Sequence, residues 1–568
     1  MSTIALSSQP ISNSRAWCEA AIIGCIGFML FTVGIWDQEF VGFEVRFGLF
    51  AKEMLAFGPS IFPTTFGTPY PDYPATSTLL IWLLSNGNGD VIKLWAVLPT
   101  TIASTTTLVF TYRLLRDISF SWSITAVCFE LLTITFLSHA RSISVDQMVT
   151  TITIICFYLI YRDDTNANSQ RSWPYWAGVA LLLTLGFALR GPLGMVIPAG
   201  VINAYLLTRA TLVRTISWRP LLLFNGLALL WLVSCTALLL YLANLSGGEK
   251  LVQQTIDAEV SGRLASTHND YAAYYLVSSF GNYAFSYLPA IVVLVVFIIQ
   301  TWRNKANSMQ PLVLSFVVWV LILLIGLSIP QSHKARYLLP ITPALAALAS
   351  YPFVDQRSYP LEMVGKILRL VMVSIPSIAL LVIGFALFYS KQHPVGLQIN
   401  FWLLSTIALL CQIFAISVFF TKKNGVTTAQ RDALIFGIAV MTFWSVDVWL
   451  WEPVKIQSSA SRDFVQQAEH RRLQRPAPLV LYGFGKDSLA NIYKLYADVS
   501  LAPIFAYDPH VLNDITESFY LVVSDENFER IKQCDNWKLT PIYNGLFYGE
   551  HYGMYFLHRL EPNRRSNS

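Results

Sequence analysis

The chain has 568 residues, 54% of them hydrophobic and only 13% charged, with 16 Trp, 26 Tyr and 36 Phe. Together with a mean hydropathy of +0.50, this excludes a soluble globular or disordered chain and predicts a polytopic membrane protein. The net charge of +5 is spread over turns between apolar runs, so it reports membrane orientation and is no nucleic-acid footprint.

The first apolar run, 17–36, follows a polar, Ser-rich start containing Arg15 and shows no small-residue cleavage site, which predicts a retained helix. About thirteen runs of roughly 17–25 residues are long enough to span a bilayer. They lie near 17–36, 91–115, 121–139, 145–162, 173–190, 191–208, 220–244, 285–301, 312–329, 337–353, 370–390, 398–421 and 431–450. Ala75–Leu84 is apolar but too short to cross, and is placed as a juxtamembrane helix along the interface.

With this count and a cytoplasmic N-terminus, every inner turn is basic. Arg113 and Arg116 come first, then Arg162 and Arg171, then Arg209, Arg214 and Arg219. Arg303 and Lys305 follow, then Arg357, Lys366 and Arg369, and finally Lys422, Lys423 and Arg431. The positive-inside rule then places loops 37–90 and 245–284 and the C-terminal tail outside.

After Trp451 the composition becomes that of a small soluble domain. Pro478–Phe484, Phe519–Ser524 and His551–Leu560 read as strands, Lys486–Tyr496 and Asp525–Cys534 as helices. The expected organisation is a membrane domain at 1–453, a polar linker at 454–475 and a small extracytoplasmic α/β domain at 476–568. Six of the seven cysteines fall in apolar spans and Cys534 stands alone in the tail, so neither a disulfide there nor a Cys-x-x-Cys metal site is expected. No cofactor is expected; a metal held by His139, His268 and His333 is the alternative, weakened by their wide spacing, and no phosphate-binding Gly loop of the nucleotide-binding type is present.

Ionisable groups near a bilayer are costly unless they have work to do. The first outer loop concentrates Asp37, Glu39, Glu44, Glu53 and Asp72 beside Arg46 and Lys52. A carboxylate there can orient or deprotonate an acceptor hydroxyl; the alternative is solvated loop charge, and Glu53 beside Lys52 reads as structural. A second group is His139, Arg141 and Asp146, where Asp146 either caps the following helix, with Ser144 as competitor, or takes a functional role. Arg190, before a Gly191-Pro192 reversal, can hold a phosphate or reach lipid head groups. Arg263 and His268 in the large outer loop, with His333, Lys334, Arg336 and Tyr337 further on, suit a reaction whose leaving group is a phosphate. Lipid anchoring is the competing reading for each.

Taken in order, these segments resemble the GT-C membrane glycosyltransferases that use polyprenyl-phosphate sugars, in particular the bacterial lipid A aminoarabinose transferases and the protein O-mannosyltransferases. The resemblance rests on Glu44-x-Arg46-Phe47, Lys52-Glu53-Met54-Leu55, Tyr70-x-Asp72-Tyr73-Pro74, Asp146, Arg190-Gly191 and Arg336-Tyr337-Leu338-Leu339-Pro340. It covers about residues 17–350. The chain departs from the family where Phe43 replaces the first acid of an Asp-Glu pair and Tyr73 replaces a basic residue.

The resemblance implies an all-α GT-C membrane fold and transfer of a sugar, with inversion, from a polyprenyl-phosphate donor to an acceptor at the outer face of a bacterial inner membrane. Lipid A or a related envelope glycolipid is the leading acceptor, a protein hydroxyl the alternative, and the enzyme is expected to act as a monomer. Catalytic or acceptor-orienting roles fall to Glu44, Asp37, Asp72 and Asp146; donor-phosphate binding to Arg46, Arg190, Arg263, Lys334 and Arg336; acceptor or sugar contacts to Tyr73, His268 and Tyr337. A lipid-linked sugar transporter is the reading from a different class; it should carry charges near mid-span and show repeat symmetry, whereas here the charged groups sit at outer ends and no repeat is visible.

Overall fold

The computed structural model describes residues 12–559 apart from 37, 72–73, 166–172, 213–217, 259–272, 303–310, 332, 355–358, 393–398, 421–426, 486–488 and 532–536. In chain order the first elements are α1 (Asn13–Thr32), α2 (Glu44–Phe57), β1 (Thr64–Thr65), β2 (Thr68–Pro69), α3 (Thr76–Ser85), α4 (Lys93–Arg116), α5 (Phe120–Leu132), α6 (Ile134–Ala140), α7 (Val145–Thr165), α8 (Trp173–Arg190) and α9 (Pro192–Leu212). Next come α10 (Arg219–Ile256), α11 (Tyr274–Asn282), α12 (Ala284–Trp302), α13 (Pro311–Ser328), a 3-10 segment Ala335–Ile341, α14 (Thr342–Ala349), α15 (Tyr359–Gln392), α16 (Phe401–Phe420) and α17 (Thr428–Val446). The remainder is α18 (Glu452–Gln457), α19 (Arg462–Gln474), β3 (Leu479–Tyr482), α20 (Leu489–Tyr496), β4 (Ile504–Ala506), α21 (Pro509–Asn513), β5 (Phe519–Ser524), α22 (Asp525–Ile531), β6 (Trp537–Phe547) and β7 (Glu550–Arg559).

A helix lies in each of the thirteen ranges read as spans. Among the described residues, seven helices are long and apolar enough to cross a membrane alone, and nine spans result if each of two sharply bent pairs counts as one. The chain is a multi-pass membrane protein. It divides into two compact units: 1–35, 71–77 and 97–450 form the membrane unit, and 36–70, 78–96 and 451–568 form the second.

Two expected spans of the membrane unit are broken rather than straight. α5 and α6 meet at Thr133 with a bend of 76°, and α11 and α12 meet at Tyr283 with a bend of 118°. Apolar surroundings do not tolerate carbonyls left open by such breaks, and polar side chains at the two breaks close them. Thr133 Oγ1 donates to the Phe129 carbonyl at 2.8 Å and lies 2.8 Å from Ser286 Oγ; Thr135 Oγ1 donates to the Asn282 carbonyl at 2.9 Å. Tyr283 donates to the Ala335 carbonyl at 2.8 Å, pinning the second break to the 3-10 segment.

The range expected as a span at 337–353 starts as that 3-10 segment and becomes α-helical only at Thr342. Pro340 lacks the N–H an α-helix needs and its ring opposes the preceding turn. Its carbonyl accepts from the Trp319 indole at 3.0 Å. α8 and α9 form a hairpin reversed at Gly191, whose φ is +60°. A Cβ on Gly186 would stand 2.1 Å from the Gly194 carbonyl oxygen, so only glycine lets the two backbones approach this closely.

In the second unit the sheet order is β4-β3-β5-β7-β6, with β3 parallel to β4 and β5 and the β5–β7–β6 ladders antiparallel. Val480, Tyr482, Phe519, Leu521, Val523, Trp537 and Leu557 build its core. β3, β5, β7, α20 and α22 stand where the sequence predicted strands and helices; β4 and β6 are additional. β6 escapes the alternation rule because Pro541 interrupts it, and its register shifts between Pro541 and Tyr543. Tyr548 and Gly549, at φ 53° and 80°, make the two-residue turn into β7.

Residues 36–70 of the first outer loop belong to this unit, tied in by their own charges. Glu39 Oε2 accepts from the backbone N–H groups of Ser461 and Arg462 at 2.9 and 3.1 Å, capping the start of α19. Lys52 Nζ donates to the carbonyls of Leu495 and Ala497 at 2.8 and 2.6 Å, at the end of α20. Burial holds the Lys52 ammonium below the ordinary lysine value. Glu53, fully buried, accepts from the N–H groups of Phe66 and Gly67 and lies 3.4 Å from Lys494 Nζ.

Candidate active site

In the membrane unit three distant segments converge on one carboxylate. α7 is capped by Ser144, whose Oγ accepts from Gln147 N at 3.4 Å. Asp146, in the first turn, is therefore spared that duty. Arg190, the last residue of α8, places Nε 2.9 Å from Asp146 Oδ1, and Arg336 of the 3-10 segment places Nε 3.3 Å from Oδ2. Tyr337 lies between the two cations, its ring centroid 4.8 Å from the Arg190 guanidinium and 5.8 Å from that of Arg336. Asp146 and Arg190 are each 6% exposed.

Two guanidiniums converge on one carboxylate here, in a largely desolvated place. A guanidinium pairs with phosphate oxygens through several donors at once, so such a cluster suits an anion. Lys334 stands exposed two residues from Arg336. His333 is buried between two tyrosines, stacked on Tyr274 at 5.4 Å and edge-on to Tyr275 at 5.0 Å.

The second unit treats its acid differently. Glu44, the first residue of α2 and 3% exposed, pairs with Lys93 and accepts from Val41 N at 3.2 Å. Lys93 Nζ also reaches the Glu39 carbonyl at 3.3 Å and lies over the Phe40 ring. Arg46 donates to Tyr70 Oη at 3.1 Å and rests over the rings of Phe47, Phe50 and Tyr70.

Of the residues singled out in the sequence, Asp146, Arg190, Arg336 and Tyr337 are thus brought together, while Glu44 and Arg46 lie in the other unit. Asp37, Asp72, Tyr73, Arg263 and His268 fall outside the described residues. Sequence reasoning missed Lys93, a lone cation at the edge of an apolar run, and the Tyr274–Tyr275 pair that encloses His333. Among the described residues, no group of three or more His, Cys, Asp or Glu is placed to hold a metal.

The backbone that carries this cluster has solved counterparts. Two crystal structures of ArnT from Cupriavidus metallidurans, one in the apo state and one bound to undecaprenyl phosphate, superpose with a TM-score of 0.68 each at 13% identity. They cover 96% and 95% of this chain and 98% of theirs. The chain shares its fold with ArnT. The model of the dolichyl-phosphate-mannose-protein mannosyltransferase family matches residues 72–241, which include Asp146 and Arg190. No curated protein matches in sequence. The helical membrane architecture that the motif resemblance implied is present, as is the small C-terminal domain expected from composition, and the likeness to ArnT in backbone extends over nearly the whole chain.

Proposed function

We propose that the chain is a glycosyltransferase that moves a sugar from a polyprenyl-phosphate carrier to an acceptor at the outer face of a bacterial inner membrane. The observation that carries this reading is the convergence of Arg190 and Arg336 on Asp146, in a fold shared with a protein crystallised with undecaprenyl phosphate. The family match over 72–241, whose description names a lipid-phosphate sugar donor, supports the same donor class.

In the reaction an acceptor oxygen attacks the anomeric carbon, the bond from that carbon to the carrier phosphate breaks, and polyprenyl phosphate departs. Negative charge grows on the phosphate oxygens as they leave. Arg190 and Arg336 take up that charge, with Lys334 available at the exposed edge. Asp146 holds the two guanidiniums in register rather than touching the acceptor, which recasts its assignment as a positioning residue. Glu44, Asp37 and Asp72 keep the acceptor-handling role assigned from the sequence. An acceptor that is itself an ionised phosphate needs no proton removed, and then Glu44 serves orientation alone.

The leading acceptor is lipid A or a related envelope glycolipid. A protein hydroxyl is the second reading, favoured by the protein acceptor in the family description. Mass spectrometry of lipid A, membrane glycans and envelope proteins from a deletion strain decides between them by which class loses a sugar. If none does, the glycosyltransferase reading fails. The proposed orientation places the N-terminus in the cytoplasm and 476–568 outside; a reporter fused after Arg475 that behaves as cytoplasmic overturns it.

A further inference from the structure

We propose that Tyr275 is a further catalytic residue, whose hydroxyl donates to the carrier phosphate that Arg190 and Arg336 receive. The inference rests on the glycosyltransferase reading and adds a neutral donor to its two cations. Tyr275 lies in the first turn of α11 and is 1% exposed, yet its O–H finds no acceptor among the described residues. A buried phenol ordinarily has a hydrogen-bond partner, and an orphaned one calls for a guest.

The chemistry around that hydroxyl narrows the guest. Other buried donors at the 3-10 segment are already used: Tyr283 donates to the Ala335 carbonyl at 2.8 Å and the Trp319 indole to the Pro340 carbonyl at 3.0 Å. What approaches the Tyr275 oxygen is another donor, the backbone N–H of Lys334. Asp146 and the Tyr337 hydroxyl lie within electrostatic reach of it, so the free O–H stands beside the carboxylate on which Arg190 and Arg336 converge. A guest that suits a phenol, a backbone N–H and two guanidiniums offers several acceptor oxygens and negative charge. A phosphate does both.

The phenol is also held in place. Its ring meets the His333 imidazole edge-on at 5.0 Å, and Tyr274 stacks on the same imidazole at 5.4 Å. Ser279 Oγ donates to the Tyr275 carbonyl at 2.6 Å, and Tyr283 ties the end of α11 to Ala335. A donor fixed in advance needs no reorganisation as charge grows on the leaving phosphate. With an ordinary phenol pKa of about 10, it carries its proton at neutral pH.

Tyr275→Phe removes the oxygen and keeps the ring. Full-length wild type, Tyr275→Phe and Arg336→Ala are titrated with undecaprenyl phosphate and with undecaprenol, the same lipid without its phosphate, and binding is read by native mass spectrometry. Tyr275→Phe should weaken undecaprenyl phosphate roughly ten- to a hundredfold, as loss of a hydrogen bond to a charged group does, and leave undecaprenol unchanged. Replacing Tyr275 by p-aminophenylalanine returns an N–H donor and should recover most of the loss, which guards against a folding defect in the Phe variant. Weakening by Arg336→Ala but not by Tyr275→Phe would overturn the proposal and leave the glycosyltransferase reading standing. Equal weakening toward undecaprenol would also overturn it, as would displacement of undecaprenyl phosphate from the wild type by an equal concentration of phosphatidylglycerol. A wild type that does not prefer the phosphate over the alcohol would instead overturn the glycosyltransferase reading, and this proposal with it.

Discussion

Glu44 and Asp146 occupy the same local position in two different units: each is an acid in the first turn of a helix, and each is almost fully buried. An acid in a first turn interacts favourably with the helix dipole, and that alone would explain both. Their partners separate them. Glu44 meets the ammonium of Lys93 and the backbone N–H of Val41. Asp146 meets two guanidiniums, those of Arg190 and Arg336. One cation holds a carboxylate in place; two guanidiniums drawn together by a carboxylate can also receive a further anion between them.

The sharpest way to break this comparison is at Glu44. Glu44→Gln alone leaves Lys93 buried without its counterion, a loss of about 3–5 kcal/mol, and should lower the amount of folded protein. The double variant Glu44→Gln/Lys93→Gln removes both charges and should restore that amount. Transfer per folded molecule in the double variant should still fall by about 10²–10⁴-fold if Glu44 handles a hydroxyl acceptor. Near-normal turnover there would restrict Glu44 to a structural role.

Arg190→Ala and Arg336→Ala come next. A charge-assisted phosphate contact contributes about 1.5–3 kcal/mol, so each should cut donor use roughly ten- to a hundredfold at equal protein level. Titration with the polyprenyl-phosphate donor measures it. Unchanged donor use in both variants would reassign the pair to structural support of Asp146.

Asp146→Asn probes the same cluster from the other side. It removes the group that aligns the two guanidiniums and raises the local positive charge. KM for the donor should stay level or drop, while kcat falls by roughly tenfold as charge stabilisation in the transition state loses its geometry. A rise in KM with unchanged kcat would mean that Asp146 contributes to donor binding itself.

The smallest effect on chemistry is expected at Glu53. Glu53→Gln unsettles the contact with Lys494 and the turn at Phe66–Gly67, so thermal stability should fall. Turnover per folded molecule should be unchanged. A turnover loss of more than about tenfold would place Glu53 in the chemistry and undo its structural reading.

Much of this was legible in the residues. The run lengths gave the positions of the helices, and the short apolar stretch at 75–84 is the ten-residue helix α3. Arg190, Arg336 and Tyr337 could be singled out because charge and aromatic side chains at the ends of apolar runs are costly without a task. Their meeting on Asp146 could not, since nothing in the spacing of positions 146, 190 and 336 encodes contact. The breaks at Thr133 and Tyr283 were hidden for a related reason. Each lies in a run that is apolar enough to continue, and only the facing Ser286, Asn282 and Ala335 groups make a break affordable.

By itself the sequence determined that this chain lives in a membrane, roughly where its helices run and where a small α/β domain follows. Those properties depend on local hydrophobicity and chain length, which each segment carries alone. Only the tertiary structure decided which charges meet. It joined the first outer loop to the C-terminal segment through Glu39, Lys52 and Glu53, and it turned α11 away from α12. The physical reason is the same in each case: a buried charge or an open carbonyl is satisfied by a partner that folding brings from far along the chain.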